Sequence, residues 1–199
     1  MNKFLVIGNP IDHSLSPQLH NYWINKFKIN ATYSKVKVNE NELKDIIIKI
    51  KKDELKGINV TVPFKEKIID LLDKLTPEAE RAQSVNTVYK DGKQIIGHNT
   101  DIAGFELSIR HHKVDVKNKK ILILGSGGVV PSIIIALQKL NVSKIYIMNR
   151  TREKAEKLSK RFKNLNVLNW GEKCDFDLII NATSVGINKN EDLKIELNN

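Results

Sequence analysis

The stretch KKILILGSGGVVPSIIIAL, Lys119–Leu137, constrains the fold of this chain more than any other. Ile121–Leu124 form a short apolar run, Gly125-Ser126-Gly127-Gly128 follow, and Ser132–Leu137 is apolar again. A short apolar run ended by glycine reads as a strand buried on both faces. The apolar run beyond the glycines reads as a helix packed on that sheet, which points to a parallel α/β architecture. Glycines at such a turn let a dinucleotide pyrophosphate approach the backbone amides of a helix N-terminus, here along Gly125, Ser126, Gly127, Gly128 and Val129. Glycine also serves ordinary strand-to-helix turns, so the weight lies in the context. A strand precedes the loop, a helix follows it, and the next strand, KIYIMN, ends about 20 residues further on. The third glycine position of the fingerprint is Val130 instead. Pro131 fits only because it falls in the first turn of the helix.

The end of that next strand selects the nucleotide. An acid there would hold the ribose 2′-hydroxyl of NAD. This chain has Asn149-Arg150-Thr151, with Lys154 one turn on. Arg150 and Lys154 can bracket a 2′-phosphate while Thr151 donates to it and caps the helix, which reads as NADP. The plainer alternative is a solvated start to a surface helix.

Strands and helices alternate along the whole chain, in two halves that each open on a strand and a glycine turn. The expected fold class is α/β, with one α/β domain over residues 1–101 and a Rossmann-like domain over 102–199. In the first half KFLVIGNP, ATYSKVKVN and GINVTVP read as strands. Ser16-Pro17 predicts a helix start, with Ser16 as N-cap and Leu19, Trp23 and Phe27 on the buried face. Leu43, Ile46, Ile47 and Ile50 mark a second amphipathic helix. Phe64, Ile68, Leu71, Leu72 and Leu75 predict a third, and Thr76-Pro77 opens another. Asp91-Gly92 is a hairpin turn. In the second half TREKAEKLSKRF reads as a helix, and NLNVLNW and DLIINAT as strands. That gives four strands where a doubly wound nucleotide domain usually has six, so the domain is expected to be incomplete at its C-terminus.

The formal net charge of +10 raises the question of nucleic acid. The lysines, however, are spread along helix faces (Lys49, Lys51, Lys52; Lys154, Lys157, Lys160) and mixed with acids, with no basic arm or RNA-binding aromatic motif. A basic surface suits anionic small molecules equally well. The lone Cys174 excludes a disulfide framework and a cysteine metal site, and no metal is expected. No apolar run is long enough to span a membrane, and MNKFLVIGNP is too soon broken for a signal peptide. These features fit a cytoplasmic protein.

GINVTVPFKEK, Gly57–Lys67, places an ammonium, Lys65, where a strand ends, with polar Asn59 and Thr61 on the strand before it. Lysines in such positions commonly just face solvent. In GNPIDHSLSP, Gly8–Pro17, Ser14 and Ser16 set two hydroxyls beside a helix start. They could hold a carboxylate, or serve as a plain cap and turn serine. His13 and His98 read as structural or solvent-facing. His111 and His112, being adjacent, do not resemble a metal pair, and Trp23 and Trp170 read as core.

Taken together in order, the GNPIDHSLSP stretch, NVTVPFK, VNT (Val85–Thr87), NTD (Asn99–Asp101), the GSGG loop, NRT and NATS (Asn181–Ser184) resemble the shikimate dehydrogenase family. The resemblance runs from Phe4 to about Gly186. It implies a first domain that binds substrate, a second that binds NADP, and catalysis in the cleft between them. Ser14 and Ser16 would hold the shikimate carboxylate, and Asn59, Thr61, Asn86 and Asp101 would contact ring hydroxyls. Lys65, paired with Asp101, would be the acid–base residue, and Thr183 of NATS would join the cofactor residues. The reaction implied is reversible hydride transfer between NADPH and the ketone of 3-dehydroshikimate, a step toward the aromatic amino acids. It is carried out by a monomer or homodimer with no nucleic-acid or membrane partner. Ketone reduction leaves an alkoxide, and an ammonium at a strand end supplies both the proton and the charge it needs. Family chains continue past this one, with further nucleotide-domain strands, a tyrosine on the substrate carboxylate, a Gly-rich segment carrying Met and Gln, and closing helices. Two alternatives stand beside this reading, a quinate/shikimate dehydrogenase and an inactive nucleotide-binding fragment.

Overall fold

The computed structural model describes residues 1–186 and 191–195, and the chain divides into two compact units, Met1–Thr100 and Asp101–Asn199. In the first unit β1 (Asn2–Gly8), α1 (Ser16–Lys26), β2 (Ala31–Lys37), α2 (Leu43–Lys51), β3 (Gly57–Val60), β4 (Lys74–Leu75), α3 (Pro77–Ala82), β5 (Thr87–Asp91) and β6 (Gln94–His98) succeed one another. The sheet order is β2-β1-β3-β5-β6-β4. β1 pairs in parallel with β2 and β3, whereas β5 runs antiparallel to both β3 and β6. The carboxyl ends of β1, β3 and β6 and the amino end of β5 therefore share one edge of the sheet.

Alternation along β3 separates two kinds of surface. Ile58 and Val60 join Ile7, Val85, Val88 and the α2 residues Leu43, Ile46, Ile47 and Ile50 in the main core. Asn59 lies in register with Val6 on the opposite face, where Val6, Ile11 and Tyr33 form a smaller cluster backed by Phe4 and Ile24. The strand pattern of the sequence thus buries an apolar face under α2 and turns a polar residue toward α1.

α1 differs from expectation. None of its residues is buried, and Leu19, Trp23 and Phe27 are exposed, Trp23 by 42%. The reason lies on the opposite face. There Asn21 hydrogen-bonds the Tyr33 backbone twice, donating to its carbonyl (2.8 Å) and accepting from its N–H (3.1 Å), while Ile24 packs on the small cluster. The apolar residues left outside stack on one another, Trp23 against Phe27 with ring centroids 5.8 Å apart, and the Lys26 ammonium lies over the Trp23 ring. Ser16 is the first helical residue and not the cap, which is Leu15, so Pro17 follows one position later than expected, still within the first turn.

The predicted helix from Phe64 to Leu75 is also absent. A turn after β3 leads into a 3-10 helix, Lys67–Leu71, and then into β4. Phe64 and Ile68 are buried and Leu71, Leu72 and Leu75 pack on the same core, so three short elements produce the spacing of one helix. The Asp91-Gly92 hairpin forms as expected, with Asp91 opposite Gln94.

The second unit contains α4 (Asp101–His111), β7 (Lys120–Leu124), α5 (Val130–Lys139), β8 (Lys144–Met148), α6 (Arg152–Arg161), β9 (Leu165–Leu168) and β10 (Leu178–Asn181). Among the described residues its sheet is β10-β7-β8-β9, parallel throughout. Each residue from Val130 to Leu137 of α5 is buried, and β7 is buried from Ile121 to Leu124. Trp170 is partly buried against Leu122, Leu124 and Met148. Strand order reverses at β7, which puts the glycine loop at the switch point where open α/β sheets bind ligands.

Candidate functional site

At the shared sheet edge of the first unit, the polar residues singled out from the sequence lie on segments that meet. Gly8 ends β1 against Thr61. A Cβ on Gly8 would stand 2.5 Å from Thr61 Cγ2 and 3.0 Å from the Val62 carbonyl oxygen, so only glycine lets the two segments come this close. Thr61 N–H donates to Ile7 O and Asn9 N–H to Val62 O, tying the loop after β3 to the loop after β1. Lys65 is half-buried, and its carbonyl accepts from Val85 N–H at 2.8 Å, which anchors it beside the Asn86 segment. Asn86 is held on both sides, its Nδ2 donating to Thr100 Oγ1 (2.8 Å) and its Oδ1 accepting from Thr100 N–H (3.0 Å). Ser14 Oγ accepts from Ser16 N–H at 3.4 Å, so the two serines share a turn.

Asn59 joins these parts. Its Nδ2 donates to Asn86 O and to Thr87 Oγ1, both at 3.1 Å, and its Oδ1 accepts from the Tyr33 hydroxyl at 2.6 Å. Thr87 in turn donates to Asn86 Oδ1 at 3.0 Å. Tyr33 is buried, and His20 stacks on its ring with centroids 4.1 Å apart. Burial pushes the Tyr33 phenol well above its ordinary pKa, opposed by a hydrogen bond from Ser16, and burial lowers that of His20. Tyr33, Thr87 and Thr100 were not among the candidates. Tyr33 enters through strand register, which single-strand alternation does not reveal.

His98 is structural, with Nδ1 2.9 Å from Thr76 Oγ1 and 3.9 Å from a Glu78 carboxylate oxygen. Asp101 opens α4 and is the first residue of the second unit, directly after Thr100.

In the second unit Gly125 has φ +106°, and a Cβ there would lie 2.7 Å from the Ala182 carbonyl oxygen. The loop after β7 is thereby packed against the segment after β10, where Thr183 N–H and Oγ1 both donate to Asn181 Oδ1 and Thr183 Oγ1 accepts from Val185 N–H. Gly127 is exposed, with no atom within 4 Å of where its Cβ would stand. At the end of β8, Asn149 Nδ2 donates to Thr151 O at 2.7 Å. Thr151 does not cap α6 through its side chain as expected. It sits at ψ 95°, whereas Thr76, at ψ 159°, accepts from Ala79 N–H. Arg152 is committed to Glu156 and Asn169. Arg150 and Lys154 are exposed and make no ion pair among the described residues, leaving two cations beside one strand end for an anion. No cluster of potential metal ligands occurs among the described residues, and no helix there is long and apolar enough to cross a membrane.

Residues 6–88 match the shikimate dehydrogenase substrate binding domain family, and residues 107–188 the shikimate / quinate 5-dehydrogenase family. An NADP(+) shikimate dehydrogenase of Pelagibacter ubique is 57% identical over 192 residues, 96% of this chain and 72% of the relative. The crystal structure of shikimate dehydrogenase from Aquifex aeolicus superposes with a TM-score of 0.89 at 41% identity, covering 96% of this chain and 72% of that one. A shikimate 5-dehydrogenase from Thermus thermophilus, solved in complex with NADP(H) and shikimate, gives 0.85 at 30% identity, covering 94% and 70%.

Proposed function

The chain belongs to the shikimate dehydrogenase family, and we propose that its first unit binds the substrate and its second the nucleotide, with Lys65 as the acid–base residue. It is an NADP-dependent oxidoreductase sequence, and the reaction interconverts 3-dehydroshikimate and shikimate in the pathway to the aromatic amino acids. The observation that carries the assignment of roles is the chain of hydrogen bonds at the sheet edge of the first unit. It runs from Tyr33 through Asn59, Thr87 and Asn86 to Thr100. Polar side chains held on a rigid sheet edge suit a small ligand rich in hydroxyls.

In this reading Ser14 and Ser16 receive the carboxylate, and Asn59, Thr61 and Asn86 meet ring hydroxyls. NADPH supplies the hydride when bound. Lys65 gives its proton to the oxygen that becomes the alcohol and offsets the charge developing there, and Asp101 orients it. Gly125, Ser126, Gly127, Gly128 and Val129 leave room for the pyrophosphate at the start of α5, and Thr183 flanks that loop. Arg150 and Lys154 pair with the 2′-phosphate, with Asn149 and Thr151 shaping the turn. Residues 1–101 form the substrate domain and 102–199 the NADP domain. The same reading makes the protein a cytoplasmic monomer or homodimer whose partner is a small molecule and not nucleic acid. The test is reduction of NADP dependent on shikimate, followed by nicotinamide absorbance, with quinate in parallel. Turnover with shikimate supports the reading, and turnover with quinate alone replaces it by the quinate alternative.

A further inference from the structure

A primary amide has two N–H donors and one oxygen with two lone pairs. In Asn59 both donors are spent, on Asn86 O and Thr87 Oγ1. Because Asn86 O is a carbonyl and can only accept, the nitrogen must face it and the oxygen must face Tyr33. The Tyr33 hydroxyl therefore donates its one proton to Asn59 Oδ1, and its own oxygen is left to accept from Ser16. The phenol stands on β2, lies against Val6 of β1 in the small cluster, and reaches Asn59 on β3. A hydroxyl has one proton, so Ser16 leaves Tyr33 when it turns to a carboxylate, and the Tyr33 bond to Asn59 stays in place. After these bonds, Asn59 has a single capacity to offer a ligand, one lone pair on Oδ1. It can accept from a hydroxyl and cannot donate.

We propose that Tyr33 is a positioning residue of the substrate site. Its hydroxyl fixes the Asn59 amide as a pure acceptor for one substrate hydroxyl. The proposal rests on the reading that Asn59 contacts shikimate. Tyr33→Phe keeps the ring and its stack on His20 and removes only the hydroxyl. The amide then loses its anchor.

The experiment is calorimetric titration of shikimate, and separately of NADP, into the chain and into Tyr33→Phe, Asn59→Ala and the double variant, each checked by thermal melting. Tyr33→Phe is expected to weaken shikimate about tenfold while NADP affinity changes less than about twofold. In the Asn59→Ala background the same change should cost about threefold or less, since its effect passes through Asn59. Asn59→Leu, which keeps the volume and cannot accept from Tyr33, provides the cycle if the alanine variant does not fold. Undiminished shikimate affinity in Tyr33→Phe overturns the inference, as does an equal loss in both backgrounds or an equal loss for NADP. Absence of shikimate binding by the unsubstituted chain contradicts the underlying reading, and this inference falls with it.

Discussion

The two units treat their polar residues in opposite ways. At the sheet edge of the first unit, Tyr33, Asn59, Thr87, Asn86 and Thr100 bind one another, and little of their hydrogen-bonding capacity is left undirected. At the end of β8 in the second unit, Arg152 is tied down while Arg150 and Lys154, its neighbours on either side, are left exposed. The difference follows from what each place is proposed to receive. A small ligand recognised through individual hydroxyls needs donors and acceptors fixed to within fractions of an ångström. A phosphate dianion is attracted by charge and needs cations that can close on it. The same contrast appears in the helices. α5 is buried from Val130 to Leu137, whereas α1 buries no residue and turns Asn21 toward Tyr33.

The largest expected effect lies in the first unit. Lys65→Ala should lower turnover by roughly a hundredfold to ten-thousandfold, the range for loss of a general acid, while NADP affinity stays within about twofold. Stopped-flow rates and a separate NADP titration measure the two, and equal turnover would remove Lys65 from the chemistry. The next effect belongs to the loose cations. Arg150→Ala should weaken NADP by about tenfold or more and leave NAD nearly unchanged, because one charge-assisted contact to the 2′-phosphate is lost. Equal losses for both nucleotides would show that Arg150 serves the fold and not the phosphate. The smallest concerns α1. Trp23→Ser should change unfolding free energy in urea by no more than about 1 kcal/mol, as for an exposed side chain. A loss of about 3 kcal/mol or more, typical of a core aromatic, would return Trp23 to the buried role its spacing suggests.

What could be read from the sequence was what is local. The glycine loop and α5 declare themselves through an apolar run, a glycine and a second apolar run, and the Asp91-Gly92 hairpin through its turn residues. The polar candidates of the first unit were recognisable as motifs, and strand alternation was enough to set Asn59 apart from Ile58 and Val60. Apart from the caps expected at Ser16 and Thr151, which are local, the failures involve partners distant in sequence. Leu19, Trp23 and Phe27 made a convincing helical stripe, yet the face that meets the sheet is the one carrying Asn21 and Ile24, chosen by the backbone of Tyr33. Phe64, Ile68, Leu71, Leu72 and Leu75 imitated a helix because a turn, a 3-10 helix and β4 each deliver one or two of them to the same core. α4 has no counterpart among the predicted helices, although Ile102, Phe105 and Ile109 fall at helical spacing, and only Ile102 of them is fully buried. Tyr33 could be found only from the pairing of β2 with β1 and β1 with β3, which aligns it toward Asn59.

The central claim is that the first unit is assembled for its ligand before the nucleotide arrives. Titration of shikimate into the chain with no nucleotide present tests it most directly. The account predicts saturable binding that is not improved by more than about twofold when NADP is added, since the hydrogen bonds of Asn59, and those of Asn86 with Thr87 and Thr100, lie within Met1–Thr100. Shikimate binding that appears only after NADP is supplied would contradict it.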